Sequence, residues 1–382
     1  MPSNAAPIRR DLIHFGIKKR FVGHLLGLAV IALRLGNLFQ RSTETKKVLI
    51  LEPFGLGDII SFEPLVRALK GDGYQIAICG KREWKRLYPE DQQLTWIDSE
   101  LPWVTYDENK KYFFKEYRSS NFRRCLKALR SWASGAVGLD TRGDIRSVAL
   151  LWLAGCSRVI SLENYLGSNL KVTPGTAQLI PFDHTLHRWQ LNLKFFAALA
   201  PDSTLEHIRS PSFEHLTVRQ KRSNQRVGLI PVAPWAGKLW TADKWQELIN
   251  DLQGKKIEVV GLCGPGQTKQ AEQQLQTSVP LKECYSIESW AAALNECAVV
   301  VTLDSGPMHL ADALGIPTVA LFGQGKLPLW VPSNSRSRTI AHQADPDFVL
   351  CQPVDQNTFS GRTFMNRITV EEVLAAVEEV LG

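Results

Sequence analysis

Six consecutive residues, Asp304-Ser305-Gly306-Pro307-Met308-His309, stand where a buried apolar run gives way to a helical pattern. The preceding AVVVTLD (298–304) reads as a strand, and Pro307 fits the first helical position, where its missing N–H costs nothing. The free N–H groups of a helix's first turn, with the positive end of its dipole, attract anions, and Gly306 lets a phosphate approach the backbone. A purely capping role for Asp304 or Ser305 accounts for one polar residue. It leaves His309, one turn further on, without a reason.

A second group, Gly55-Leu56-Gly57-Asp58, follows the first strand. It fails as a dinucleotide fingerprint, because Ile60 stands where the third glycine belongs and the next strand ends Cys79-Gly80-Lys81 without an acid. Asp58 is then either a helix cap or a carboxylate that removes a proton at the mouth of a cleft. Lys238 lies in PVAPWAGKLWTADKW, spaced from Trp240 and Trp245, and is a cation that can offset charge on a leaving group or a solvated loop residue. Gly264-Pro265-Gly266-Gln267 is a turn after a further strand. Arg142 and Arg146 in DTRGDIRS, and Arg188 after His184 and His187, are basic groups suited to an anionic ligand or to ordinary surface pairing. No His or Cys partner stands at metal spacing from these histidines, and no D-x-D motif is present where a diphosphate-bound metal would need one; no metal is expected.

With these segments in view the chain resembles glycosyltransferase family 9, the lipopolysaccharide heptosyltransferase family, over roughly residues 47–380. The resemblance rests on Asp304 to His309 with Ala311 and Ala313-Leu314-Gly315, on Gly57-Asp58, on Lys238 with Trp240 and Trp245, and more loosely on the two arginine segments. It implies the two-domain GT-B fold and transfer with inversion, with Asp58 as base and no metal. It assigns Lys238, Asp304, Ser305, Gly306, Pro307, Met308, His309, Gly264 and Gln267 to a nucleotide-sugar donor such as ADP-heptose. Gly57, Arg142, Arg146 and Arg188 fall to an anionic glycolipid or lipopolysaccharide acceptor. Two departures stand out: Ala233-Pro234-Trp235 where hydroxyl residues are usual, and Gln267 where an acid is usual. They leave open an inactive nucleotide-sugar-binding scaffold; a second enzyme reading, a sugar-nucleotide epimerase of the same fold, needs further catalytic acids near the anomeric carbon.

The elements that must position these residues follow the hydrophobic pattern. Strands at 48–51, 74–80, 226–233, 256–264, 298–304 and 317–323 alternate with helices at 59–70, 242–252, 269–277 and 307–314. Such alternation predicts α/β architecture: two Rossmann-like doubly wound domains facing a central cleft. The expected division is an extension at 1–46, an acceptor domain at 47–200, a polar linker at 201–226, a donor domain at 227–365 and a last helix at 366–382. Thr369 and Glu372 form a capping box for that helix.

The formal charge of +7 does not point to nucleic acid. Residues 1–47 hold nine Lys and Arg against two acids, which is the whole excess; the remainder is balanced. A localised basic segment suits an anionic membrane surface. It precedes FVGHLLGLAVIALRLGNL (21–38), whose uninterrupted apolar part is nine residues, against about 20 for a spanning helix. A peripheral contact through residues 9–41 at the cytoplasmic face is expected, with packing on the protein's own surface as the alternative. Seven scattered cysteines without a C-x-x-C pair suggest a reducing compartment and no disulfide framework.

Overall fold

The computed structural model describes residues 27–35, 46–99, 101, 119–163, 172–204, 207–217, 225–234, 236–276, 279–323, 327–342 and 364–382. Most of the basic extension, Trp235 and Cys351 lie outside the described residues. A short helix, α1 (27–35), precedes two six-stranded parallel sheets.

The first sheet contains β1 (Lys47–Glu52), β2 (Gln75–Gly80), β3 (Leu94–Asp98), β4 (Val137–Asp140), β5 (Arg158–Leu162) and β6 (Gln178–Ile180), ordered β3-β2-β1-β4-β5-β6. Its helices are α2 (Leu56–Ile60), α3 (Glu63–Gly71), α4 (Ser120–Ala133), α5 (Ile145–Ala154) and α6 (Arg188–Leu199). The second sheet contains β7 (Arg226–Ile230), β8 (Glu258–Cys263), β9 (Leu281–Glu283), β10 (Val299–Leu303), β11 (Thr318–Phe322) and β12 (Arg338–Ala341), ordered β12-β11-β10-β7-β8-β9. With it go α7 (Ala242–Gly254), α8 (Thr268–Leu275), α9 (Ile287–Asn295), α10 (Gly306–Ala313) and α11 (Val370–Leu381).

Both sheets therefore have one topology. Order reverses between β1 and β4 in the first and between β7 and β10 in the second. In doubly wound sheets the loops leaving the carboxyl ends of such strand pairs diverge and form the ligand crevice. Here they carry Asp58 and Arg142 in one half, Lys238 and Asp304 in the other.

Local structure departs from the sequence pattern after β1. A single helix over 59–70 is expected, but the chain forms α2, turns at Ser61 and Phe62, and restarts as α3. Pro64 is the cause: it has no N–H to continue a ladder but fits the first turn of a new helix. The break leaves α2 as a short, wholly buried turn, and α2 packs against α10 of the second half.

That packing needs two glycines. A Cβ on Gly306 would stand 2.8 Å from the Leu56 Cβ, and one on Gly57 would collide with the His309 ring. The expected linker is also less polar in effect than in composition. Phe213 is buried between the halves, edge-on to Tyr88 at 5.7 Å, and its N–H donates to Ala313 O. Burying a phenylalanine is worth about 1.5–3 kcal/mol, so this residue fastens the two halves together. At the C-terminus Thr369 and Glu372 form the expected capping box, and α11 packs on α7 and the second sheet.

Candidate active site

Asp58 is the third residue of α2. Its Oδ2 accepts from Gly55 N–H at 3.2 Å and lies 2.6 Å from an Arg142 Nη2. Through one oxygen Asp58 thus both closes its own helix start and meets a cation from the neighbouring loop. The other oxygen, Oδ1, is buried without a hydrogen-bond partner among the described residues. Such an oxygen is costly to bury and is available to accept a proton.

Arg142 reaches Asp58 because its loop is held rigidly. Asp140, buried at the end of β4, accepts from the Arg142 and Asp144 N–H groups and from Ser161 Oγ. Burial pushes the Asp140 carboxyl up to about 7. The guanidinium of Arg142 also stacks on the Phe54 ring, 3.8 Å from its centroid.

The second half mirrors this with the charges exchanged. Lys238, in a short turn after β7, places Nζ 2.6 Å from Asp304 Oδ2 and 3.1 Å from the Asp304 carbonyl. Trp240 and Trp245 are fully buried, edge-on at 5.1 Å, and Trp240 Nε1 donates to Ile368 O. The two tryptophans are core residues; they matter to the site by fixing the turn that carries Lys238. Ser305 occupies the N-cap position of α10, yet its side chain makes no cap, and its Oγ is buried without a partner among the described residues. The capping alternative for Ser305 therefore fails on geometry.

His309 joins the two halves. Its ring lies against Gly57 and 5.2 Å from the Trp330 ring. Desolvation pulls its pKa down to about 4, outweighing the carboxylates of Asp304 and Asp58 that pull the other way, with Lys238 adding to the depression. Near neutrality His309 is an uncharged imidazole that fills the junction between an acid–base pair on each side.

The remaining expected residues are placed as follows. Gly57 serves the α2–α10 contact rather than an open surface. Met308 is buried beneath α10. Gln267 turns back on its own loop, with Oε1 accepting from Gly264 N–H at 2.9 Å. Arg146 is folded onto Asp144, 2.5 Å away, so its charge is already paired. Arg188 is fully buried and donates to Thr141 O at 2.9 Å, which corrects the expectation of a direct acceptor contact: it supports the loop that carries Arg142. Sequence reading missed Glu52, the buried last residue of β1, and Trp330 beside His309. The available signal for Glu52 was an acid ending an otherwise apolar run, VLILE.

The two halves are pinned beside the site. His187 caps α6 through Nδ1, which accepts from Trp189 N–H, leaving Nε2–H to donate to Val331 O at 2.6 Å. Arg188 N–H donates to Leu329 O, and Trp189 Nε1 to Ser333 Oγ. Burial lowers the His187 pKa from 6.5 to about 4. The unfolded chain binds this proton more readily, so His187 costs stability as pH falls from about 6.5 to about 4 and costs nothing above that window. His187→Asn is expected to be less stable at pH 7 but to show a shallower loss of Tm between pH 6.5 and 4. Thermal melts across that range test this; an acid limb as steep as that of the unmodified protein counts against it.

Among the described residues no group of three His, Cys, Asp or Glu is arranged to hold a metal, and the six described cysteines are free and buried. No helix of the described residues is long and apolar enough to cross a membrane.

Comparison with known proteins follows the same lines. Residues 182–354 match the family model for glycosyltransferase family 9 (heptosyltransferase). Lipopolysaccharide heptosyltransferase 3 of Escherichia coli K12 is 24% identical over 172 residues, 41% of this chain and 46% of that protein, so the match spans about half of the curated relative. A family 9 glycosyltransferase from Veillonella parvula superposes with a TM-score of 0.68 at 15% identity, covering 88% of this chain and 97% of the other. E. coli heptosyltransferase WaaC with ADP gives a TM-score of 0.65 at 16% identity, covering 87% and 99%. The E. coli iron-containing dodecameric glycosyltransferase TibC gives 0.53 at 13% identity, covering 87% and 75%. Residues 182–354 thus resemble glycosyltransferase family 9 (heptosyltransferase), and the chain has the two-sheet GT-B fold of the solved heptosyltransferases.

Proposed function

We propose that this protein is an inverting, metal-independent glycosyltransferase that moves a sugar from a nucleoside diphosphate to an anionic cell-surface glycan acceptor. The observation that carries the reading is the pair of switch-point ion pairs, Asp58–Arg142 and Lys238–Asp304, with neutral His309 between the halves. Asp58 takes the proton of the acceptor hydroxyl as its oxygen attacks the anomeric carbon. The bond from that carbon to the diphosphate breaks on the opposite face, and its electron pair goes to the phosphate oxygen. Lys238, Ser305 Oγ and the N–H groups at the start of α10 receive the charge that develops there. A cation supplied by Lys238 does the work a divalent metal does in other transferases.

ADP-heptose is the donor of choice to test first, because solved relatives are complexes of WaaC with ADP and with ADP-2-deoxy-2-fluoro heptose. Nucleotide release is measured for candidate sugar nucleotides, with and without lipopolysaccharide core acceptors and with and without EDTA. Acceptor-dependent release that survives EDTA supports the reading. Binding without acceptor-dependent release would instead favour a nucleotide-sugar-binding scaffold, and sugar isomerisation without acceptor an epimerase.

A peripheral site at the inner membrane face belongs to the same proposal. Helix α1 packs on the first half through buried Val30, with Arg34 donating to Gly175 O, so the own-surface alternative describes its inner side. Its outer side presents Leu28, Ala29, Ala32 and Leu35, an apolar stripe at helical spacing, with Leu28 66% and Leu35 54% exposed. An outward apolar stripe preceded by a basic segment is the pattern of an interfacial helix. The double variant Leu28→Asp, Leu35→Asp is expected to lose most of its binding to anionic vesicles in co-sedimentation, with Tm nearly unchanged. Equal binding by the variant would remove α1 from the membrane contact.

A further inference from the structure

Glu52 ends β1 fully buried, one strand away from the loop that carries Arg142. Its Oε2 accepts from Thr141 Oγ1 at 2.7 Å, and its Oε1 accepts from Phe54 N–H at 3.3 Å. These two contacts grip both sides of the ion pair. Phe54 supplies the ring on which the Arg142 guanidinium stacks, and Thr141 is the residue before Arg142 in the chain. The Thr141 carbonyl in turn accepts from the buried Arg188. One carboxylate thus ties the β1–α2 loop, which bears Asp58, to the β4–α5 loop, which bears its arginine.

We propose that Glu52 is a positioning residue that, through Thr141 and Phe54, fixes Arg142 against Asp58. This rests on the reading of Asp58 as the base. The charged and titratable groups around Glu52 are Asp58, Arg142, Arg188 and, from the turn after β2, Tyr88. Burial, with Asp58 close by, pushes the Glu52 carboxyl up to about 7 against the opposing pull of Arg142, Arg188 and Thr141, so its charge varies within the working pH range.

Glu52→Gln, which keeps the size but offers only one acceptor oxygen for the two bonds, is expected to lower kcat about 10-fold while leaving donor KM within about twofold, and to remove the part of the pH profile that titrates near 7. Thr141→Val breaks the Oγ1 contact alone and is expected to act in the same direction and less strongly, whereas Thr141→Ser keeps that contact and should retain most of the rate. A purely structural Glu52 would lower Tm and leave kcat and the profile unchanged. Unchanged kcat with an unchanged profile in folded Glu52→Gln overturns the inference. If Asp58→Asn transfers at the unmodified rate, it is the base assignment that fails, and non-additivity of Glu52→Gln with Arg142→Met in Tm still decides whether Glu52 holds Arg142 in place.

Discussion

Asp58→Asn is expected to lower acceptor-dependent transfer by about 10²–10⁴-fold, the usual worth of a positioned general base. The substitution is nearly isosteric, so α2 keeps its place. Asparagine Oδ1 can still accept from Gly55 N–H and preserve the start of the helix. What is lost is the site for the acceptor proton. Donor affinity should change little, because the elements proposed to hold the donor, the Lys238 turn and α10, lie in the second half. The variant therefore predicts a split: nucleotide binding by calorimetry close to that of the unmodified protein, and single-turnover transfer nearly abolished. Some stability is lost as well, because the Arg142 guanidinium no longer faces a carboxylate. The Phe54 ring still supports it, which limits the penalty to about 1–3 kcal/mol. Transfer at the unmodified rate would remove Asp58 from the chemistry altogether. Weakened donor binding with normal single-turnover chemistry would move it from base to structural support of the interface.

The parts of this arrangement that the sequence reveals are those that local physics dictates. Central strands such as VLIL, RVGLI and VVVTL are buried on both faces and read as continuous apolar runs. The edge strands β3, β6, β9 and β12 were not legible, because partial burial leaves sequences such as LKE or RTIA without a strong pattern. The same division holds at the site. Asp58, Lys238 and Asp304 sit at strand-to-helix turns, where glycine and proline announce a change of direction, and the family resemblance draws attention to them. Their partners are set by topology. Arg142 meets Asp58 only because β4 lies beside β1, and nothing in the 83 intervening residues advertises that adjacency. Glu52 and Arg188 are opaque for a further reason. Charged residues are rarely buried, so residue type argues for solvent exposure, and only the assembled cluster explains why both are interior.

Lys238→Met is expected to reduce kcat by about 10²–10³-fold, comparable with removing one donor from an oxyanion-type site. The difficulty is that Lys238 also neutralises Asp304, so lost activity and lost structure must be separated. Breaking a well-buried pair leaves an uncompensated charge and costs about 3–5 kcal/mol. The Lys238 and Asp304 side chains retain 15% and 9% exposure, which places the cost below that figure. Lys238→Met alone therefore predicts a lower Tm together with the activity loss. The double variant Lys238→Met, Asp304→Asn removes both charges at once, and its Tm should recover most of the way. Transfer should not recover with it, because neither substitution restores a cation to meet the charge on the departing diphosphate. Lys238→Arg should retain part of the rate, since a guanidinium offers donors to phosphate in a fixed fork. If the stabilised double variant instead transfers at near the unmodified rate, Lys238 holds Asp304 in place and nothing more, and the charge on the leaving group must be met by α10 and Ser305.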